Sequence, residues 1–293
     1  MNQAAWRPLG AVDPRQLVET RDQAHHAIQL PGMVAAAYAP PEEDYSHLNF
    51  GWLDAQSAFV SHEVPTTKGL VQFGLRLADL TLIIIQGDLI ATDYPLHGKS
   101  FAEAKAWLLE QIDMLGLDKA KYPTGAPGDL PTHPVGSGNP FDAKTHARAM
   151  AEFCNYYGNA NLVLEALRLS YLDIEPGPNA VRMWPHHFDI AVLVTLEEGD
   201  PETAKAFGFG FEPGDESCQQ PYFYTYPWPR SQRPATLPKL EGLGEWTPPG
   251  TWLGTLLKGE DLCQVAADRQ RQVVAAYLKD GAEKCRALAL AHP

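Results

Sequence analysis

Cysteine is scarce in this chain, and long apolar runs and clustered basic charge are missing from it. Each absence removes a class of protein. Cys154, Cys218, Cys263 and Cys285 are the only cysteines in 293 residues. They form no Cys-x-x-Cys pair and no zinc-ribbon spacing, so free thiols and a reducing, cytoplasmic setting are expected. The longest strictly apolar stretches, such as Leu82–Ile85 and Ile190–Val194, fall far short of the roughly 20 residues that cross a bilayer. The opening Met1–Asp22 lacks the basic-then-apolar profile of a signal peptide. Lys and Arg number 23 against 36 acidic residues, for a formal charge of −13. Nucleic acid and anionic membrane surfaces need clustered cations, so neither is an expected partner. No Gly-x-Ser-x-Gly elbow, His-Glu-x-x-His helix or Cys-centred nucleophile occurs. Gly208-Phe209-Gly210 falls inside an expected strand, not at the strand-to-helix turn a dinucleotide needs. No internal repeat is present.

What is present can bury a large core, since 45% of the residues are hydrophobic. Helical spacing of Leu17, Val18, Ala24 and Ile28 predicts a helix over 13–30, ended by Pro31-Gly32. Short β-type runs follow at 33–39, 47–53, 57–64, 70–77, 80–86 and 89–94, the last two joined by a tight Gly87-Asp88 turn. Strands this close leave no room for helical crossovers, so the sheet is expected to be antiparallel. Ser100 should cap a helix over 101–115. Residues 122–140 are rich in Pro and Gly and read as a linker or long loop. Asn139-Pro140 looks like a helix start, leading a helix of about 30 residues to Tyr171. Strands are expected at 181–196, 206–211 and 222–226, then a Pro-rich stretch over 227–249 and a closing helix over 259–290. The expectation is an α+β fold of mainly antiparallel sheet with about four helices, two of them long. It divides as 1–121, a 122–140 loop, and 141–293, the two halves packed into one body.

Several of these segments carry a familiar pattern. His25 and Gln29 lie on the first helix, Ala39-Pro40-Pro41 follows, and His47 opens the next run. His186-His187-Phe188-Asp189-Ile190-Ala191 comes later. Phe211-Glu212-Pro213-Gly214-Asp215 then precedes Pro221–Pro227, with its three tyrosines. Together they resemble a bacterial family of unknown function, which has a His-x-Phe-Asp-Leu-Ala strand and a Pro-Gly loop before a Tyr-rich strand. Ala27 stands where that family tends to carry Trp. The resemblance implies no activity; it supports the fold and the choice of site residues.

The chemistry-bearing residues are few. If 181–196 is one strand, His187 and Asp189 share a face about 7 Å apart, with His186 on the other. Such a pair could ligate a divalent metal, or Asp189 could orient a histidine acting as general base. It could equally be a packed and a solvated histidine without function. Asp215-Glu216 puts two carboxylates beside Tyr222, Tyr224 and Tyr226, which share one strand face. Phenol faces with hydroxyls suit a small polar-aromatic or sugar-like ligand, with Trp228 as a wall. His25, Gln29 and His47 could meet if the first helix packs on the sheet. Gly136–Pro140 reads as helix capping, and His133 as an exposed loop residue. The leading expectation is a small-ligand pocket between the sheets, lined by His186 or His187, Asp189, Glu216 and the three tyrosines. His-based or metal-assisted hydrolysis is the chemistry it would allow. The rival is a non-catalytic scaffold whose aromatic, Pro-rich stretch over 221–252, with Trp228, Trp246 and Trp252, binds a partner or a second copy.

Overall fold

The computed structural model describes residues 5–125, 130–229 and 233–291. In chain order the elements are α1 (Val18–Tyr38), β1 (Gly51–Leu53), β2 (Ala58–Val60), β3 (Val64–Thr66), β4 (Gly69–Arg76), β5 (Thr81–Gln86), β6 (Leu89–Pro95) and α2 (Phe101–Met114). They continue with α3 (Ala147–Arg168), β7 (Gly177–Pro178), β8 (Arg182–Met183), β9 (Ile190–Thr195), β10 (Ala206–Glu212), β11 (Tyr222–Trp228), β12 (Glu245–Trp246), β13 (Thr255–Lys258), α4 (Gly259–Leu262) and α5 (Gln270–Ala291). The fold is α+β with two antiparallel sheets, as the strand spacing requires. None of the described helices is long and apolar enough to cross a membrane. The cysteines are free thiols.

Two compact units form, each from discontinuous segments. The first comprises Leu17–Cys154 and Arg182–Phe188; the second comprises Met1–Gln16, Asn155–Val181 and Asp189–Pro293. The first unit carries the sheet β1-β2-β4-β5-β6, with β3 paired to β4. Its β5–β6 hairpin turns at Gly87, whose φ of +59° suits the Gly-x turn. Ser100 caps α2 in a reciprocal box with Glu103, which satisfies two otherwise orphaned donors.

The first helix corrects the sequence expectation. It does not stop at Pro31-Gly32, and 33–39 is not a strand; α1 runs on to Tyr38 and ends where Pro40-Pro41 cannot continue it. Pro31 removes one ladder bond, a loss of about 3 kcal/mol in an isolated helix. Full burial of Ile28, Leu30, Met33 and Val34 on either side outweighs it. Three further boundaries shift. α3 begins at Ala147 rather than Pro140, because Phe141 is bridged to His97 and the Asp142 N–H is held by Gln23 Oε1 at 2.7 Å. Gly136–Pro140 therefore caps no helix; residues 134–137 form a short 3-10 turn. The closing helix is two, α4 and α5, since residues 263–269 form turns.

In the second unit the sheet order is β12-β13-β11-β10-β9-β7. Period-two alternation sorts its central strands into two faces. Phe207, Phe209 and Phe211 lie on the inner one, where Phe211 stacks on Tyr156 at 5.7 Å and meets the Phe223 ring at 5.2 Å. Tyr171 meets Phe207 edge-on at 5.1 Å. α5 closes against this face through Tyr277, which donates to Phe223 O, and Cys285, in contact with Thr225 Oγ1. Burial pushes the Cys285 thiol up to about 12, so it stays protonated. The other face of the same strands carries the tyrosines.

Candidate functional site

The tyrosine face is built by pairing tyrosine with glycine. Across the β10–β11 ladder, Gly208 opposes Tyr226, Gly210 opposes Tyr224, and Glu212 opposes Tyr222. The two glycines leave space that the phenol rings fill. A Cβ at Gly208 would lie 2.2 Å from the Tyr226 ring, and one at Gly210 would lie 2.5 Å from the Tyr224 hydroxyl. Gly208-Phe209-Gly210 is thus a strand segment, apolar on one side and vacated for tyrosine on the other. Leu256 and Ala191 extend the floor.

Trp252 stands over this floor, its ring 6.4 Å from Tyr224 and inclined 83° to it. Gly254 makes that possible, because a Cβ there would overlap the indole at 1.9 Å. The result is a cleft of about 300 Å³ lined by Glu212, Tyr222, Tyr224, Tyr226, Pro227, Trp228, Trp252 and Leu253. That volume lies at the lower end for small-ligand sites.

Two of the three hydroxyls on this face are committed to carboxylates. Tyr224 donates to Asp189 Oδ2 at 2.5 Å, and Tyr222 to Asp215 Oδ2 at 2.7 Å. Burial first, and the nearby carboxylate second, hold the Tyr224 phenol well above its ordinary range. Tyr222 is raised by burial and then by Glu212 and Asp215, and Tyr226 by burial and Asp189. All three remain neutral donors at physiological pH. Asp215 moves the other way. Burial alone would raise it, but hydrogen bonds from Ser217, Tyr222 and the Cys218 N–H hold it below the usual carboxylate value. The indole N–H of Trp228 is spent on Pro201 O at 2.9 Å.

The histidines lie elsewhere. His186 and His187 are not on a strand: β8 stops at Met183, and Trp184–Phe188 forms a turn closed by Phe188 N–H to Trp184 O at 2.6 Å. Phe188 takes φ +67°, which reverses the chain before β9. The shared strand face expected for His187 and Asp189 therefore does not exist. Both histidines are exposed on the first unit with rings 4.2 Å apart, whereas Asp189 belongs to the second unit. Partial burial and then His187 push His186 below its ordinary value. Glu216 is exposed and does not line the cleft; its neighbour Asp215 makes the contact to tyrosine. Among the described residues no three His, Cys, Asp or Glu side chains cluster as a metal requires.

His25 and Gln29 hold the 184–188 turn instead of meeting His47. His25 Nε2–H donates to Pro185 O at 3.0 Å, and Gln29 Nε2 donates to the same oxygen at 2.7 Å. The His25 ring stacks on Phe188 at 5.0 Å, inclined only 9°. Burial dominates over these bonds and lowers His25 to about 4, so it is neutral. His133, expected to be exposed, is packed beside His26 and donates through Nε2 to Glu19 at 3.0 Å.

His47 lines a separate, more polar groove of about 490 Å³, with Glu42, Ser46, Ser61, His62, Glu63, Gln72 and Arg182. Much of its polar lining is committed locally. His47 Nδ1 accepts from Glu42 N–H, His62 Nε2 donates to Asn49 Oδ1, and Gln72 donates to Ser61 O. Burial and then Arg182 lower His62.

Sequence reasoning missed Trp252 as a wall of the cleft, Glu212 at its edge and the pairing of Tyr222 and Tyr224 with Asp215 and Asp189. The alternation of glycine in β10 with tyrosine in β11 is the signal that could have found the floor. In comparisons with known proteins the chain matches no family model, no curated protein and no solved structure.

Proposed function

We propose that this protein binds a small organic molecule in the tyrosine cleft of its second unit. The observation that carries the reading is the right-angled arrangement of Tyr224 and Trp252 around a cleft of about 300 Å³. The rings stand at different inclinations, with Tyr222 and Tyr224 buried as the floor and Tyr226, Trp228 and Trp252 half-buried, so a compact guest meets aromatic surface chiefly from the latter three. The concavity favours this over a partner-binding aromatic surface, which would be flat. The lining contains carboxylate and phenol but no histidine, so the histidine-based version of a hydrolytic site draws no support here.

Saturation-transfer NMR with phenol, methyl glucoside and choline as probes tests the proposal. At least one probe is expected to receive saturation from the wild-type protein and to lose it in Trp252→Ala. His187→Ala, outside the cleft, should leave the signal unchanged. Transfer to none of the probes, or equal transfer in Trp252→Ala, would contradict the reading.

A further inference from the structure

The cleft offers acceptors and π faces, and among the described residues the Tyr226 hydroxyl and the Trp252 indole N–H are its donors not given to a protein acceptor. Tyr222 and Tyr224 give their protons to Asp215 and Asp189, and Trp228 gives its N–H to Pro201 O. What these groups turn toward a guest is lone pairs and ring faces, both regions of negative potential. Glu212 lines the cleft, and the described lining includes no Lys, Arg or His. An anionic ligand would therefore find no counter-charge, and a neutral sugar would find few donors for its oxygens. A cation finds the opposite. Ring faces attract it electrostatically, and a phenol that donates to a carboxylate has a more electron-rich ring. The rings are also placed as walls and floor rather than as a single stack: Tyr222–Tyr224 and Tyr224–Tyr226 centroids lie 6.2 and 6.0 Å apart at 60° and 35°, and Trp252 is close to perpendicular.

We infer that the ligand of this cleft is a small organic cation bearing a methylated ammonium group, an inference that rests on the small-ligand reading above. Methylation matters because such a cation needs no hydrogen-bond acceptors arranged around it. It is weakly hydrated, and it contacts rings over its whole surface. Tyr224, Tyr226 and Trp252 form the cage, and Glu212 supplies counter-charge at the edge.

Isothermal titration tests this with three probes: choline, its uncharged isostere in which tert-butyl replaces trimethylammonium, and methyl glucoside. Choline is expected to bind at least tenfold more tightly than the isostere. Glu212→Gln should narrow that preference several-fold. Trp252→Leu, which keeps apolar bulk but removes the ring, should erase most of it, and melting curves confirm that each variant is folded. Equal or tighter binding of the isostere, or binding of methyl glucoside alone, would overturn the cation inference and leave the small-ligand reading standing. Binding of none of the three would remove the small-ligand reading itself. Sedimentation with phosphatidylcholine vesicles separates the sources: choline-competed co-sedimentation assigns a lipid headgroup, and its absence alongside choline binding assigns a free cation.

Discussion

Single residues in this protein do their work through what they are bonded to. His25 was a candidate site residue by type, yet stacking on Phe188 and donation to Pro185 O make it a fixed strut of the 184–188 turn. Its neutrality has a consequence for stability. In the unfolded chain it protonates near 6.5, and in the folded protein only near 4, so between those values the unfolded state binds more protons. Stability should fall as pH drops through that window and level off below it, by about 3 kcal/mol attributable to this group. Urea unfolding of wild type and His25→Gln between pH 7 and 4 checks this, with the variant expected to show the shallower slope. A slope identical in both would assign the pH dependence elsewhere. Tyr224→Phe removes the donor to Asp189 and should cost about 2 kcal/mol, the usual penalty for losing a hydrogen bond to a charged group. Neither role was legible in sequence, because both depend on partners more than 30 residues away in the chain.

Among the elements, local chemistry predicted well where it acted alone. The Gly87-Asp88 hairpin and the Ser100 cap were readable because a positive φ and a capping oxygen are local requirements. Ser100→Ala should destabilise the protein by about 1 kcal/mol in denaturant melts. Prediction failed where tertiary packing overrode a local signal. Pro31-Gly32 reads as a stop, but unbroken burial from Asp22 to Ala35 carries the helix through it. Pro185 and Phe188 interrupt an apolar run that otherwise looks like one strand, and that interruption removed the expected His187–Asp189 pair. The alternation of β10 and β11 was legible; the reason for the glycines was not, since their purpose is visible only across the ladder. Gly210→Ala should displace the Tyr224 ring, cost about 1–3 kcal/mol from overpacking, and weaken probe binding more than it lowers stability.

The molecule as a whole was legible as α+β with antiparallel sheets, because strand spacing excludes crossovers. Its two units draw on interleaved segments, and no composition shift marks where the chain passes from one to the other. A ligand of the cleft should raise the melting temperature by mass action, by about 2.7 kcal/mol of stability at a hundredfold excess over Kd. The central claim is that a small molecule occupies the tyrosine face. Its most direct test is a proton–carbon spectrum of protein labelled in its tyrosine rings, recorded alone and with choline, its tert-butyl isostere and methyl glucoside in turn, and assigned by single Tyr→Phe variants. The expected result is a saturable shift of the Tyr224 and Tyr226 resonances, with Tyr38, Tyr122 and Tyr171 unmoved. Unchanged Tyr224 and Tyr226 resonances at saturating probe, or shifts confined to the other rings, would contradict it.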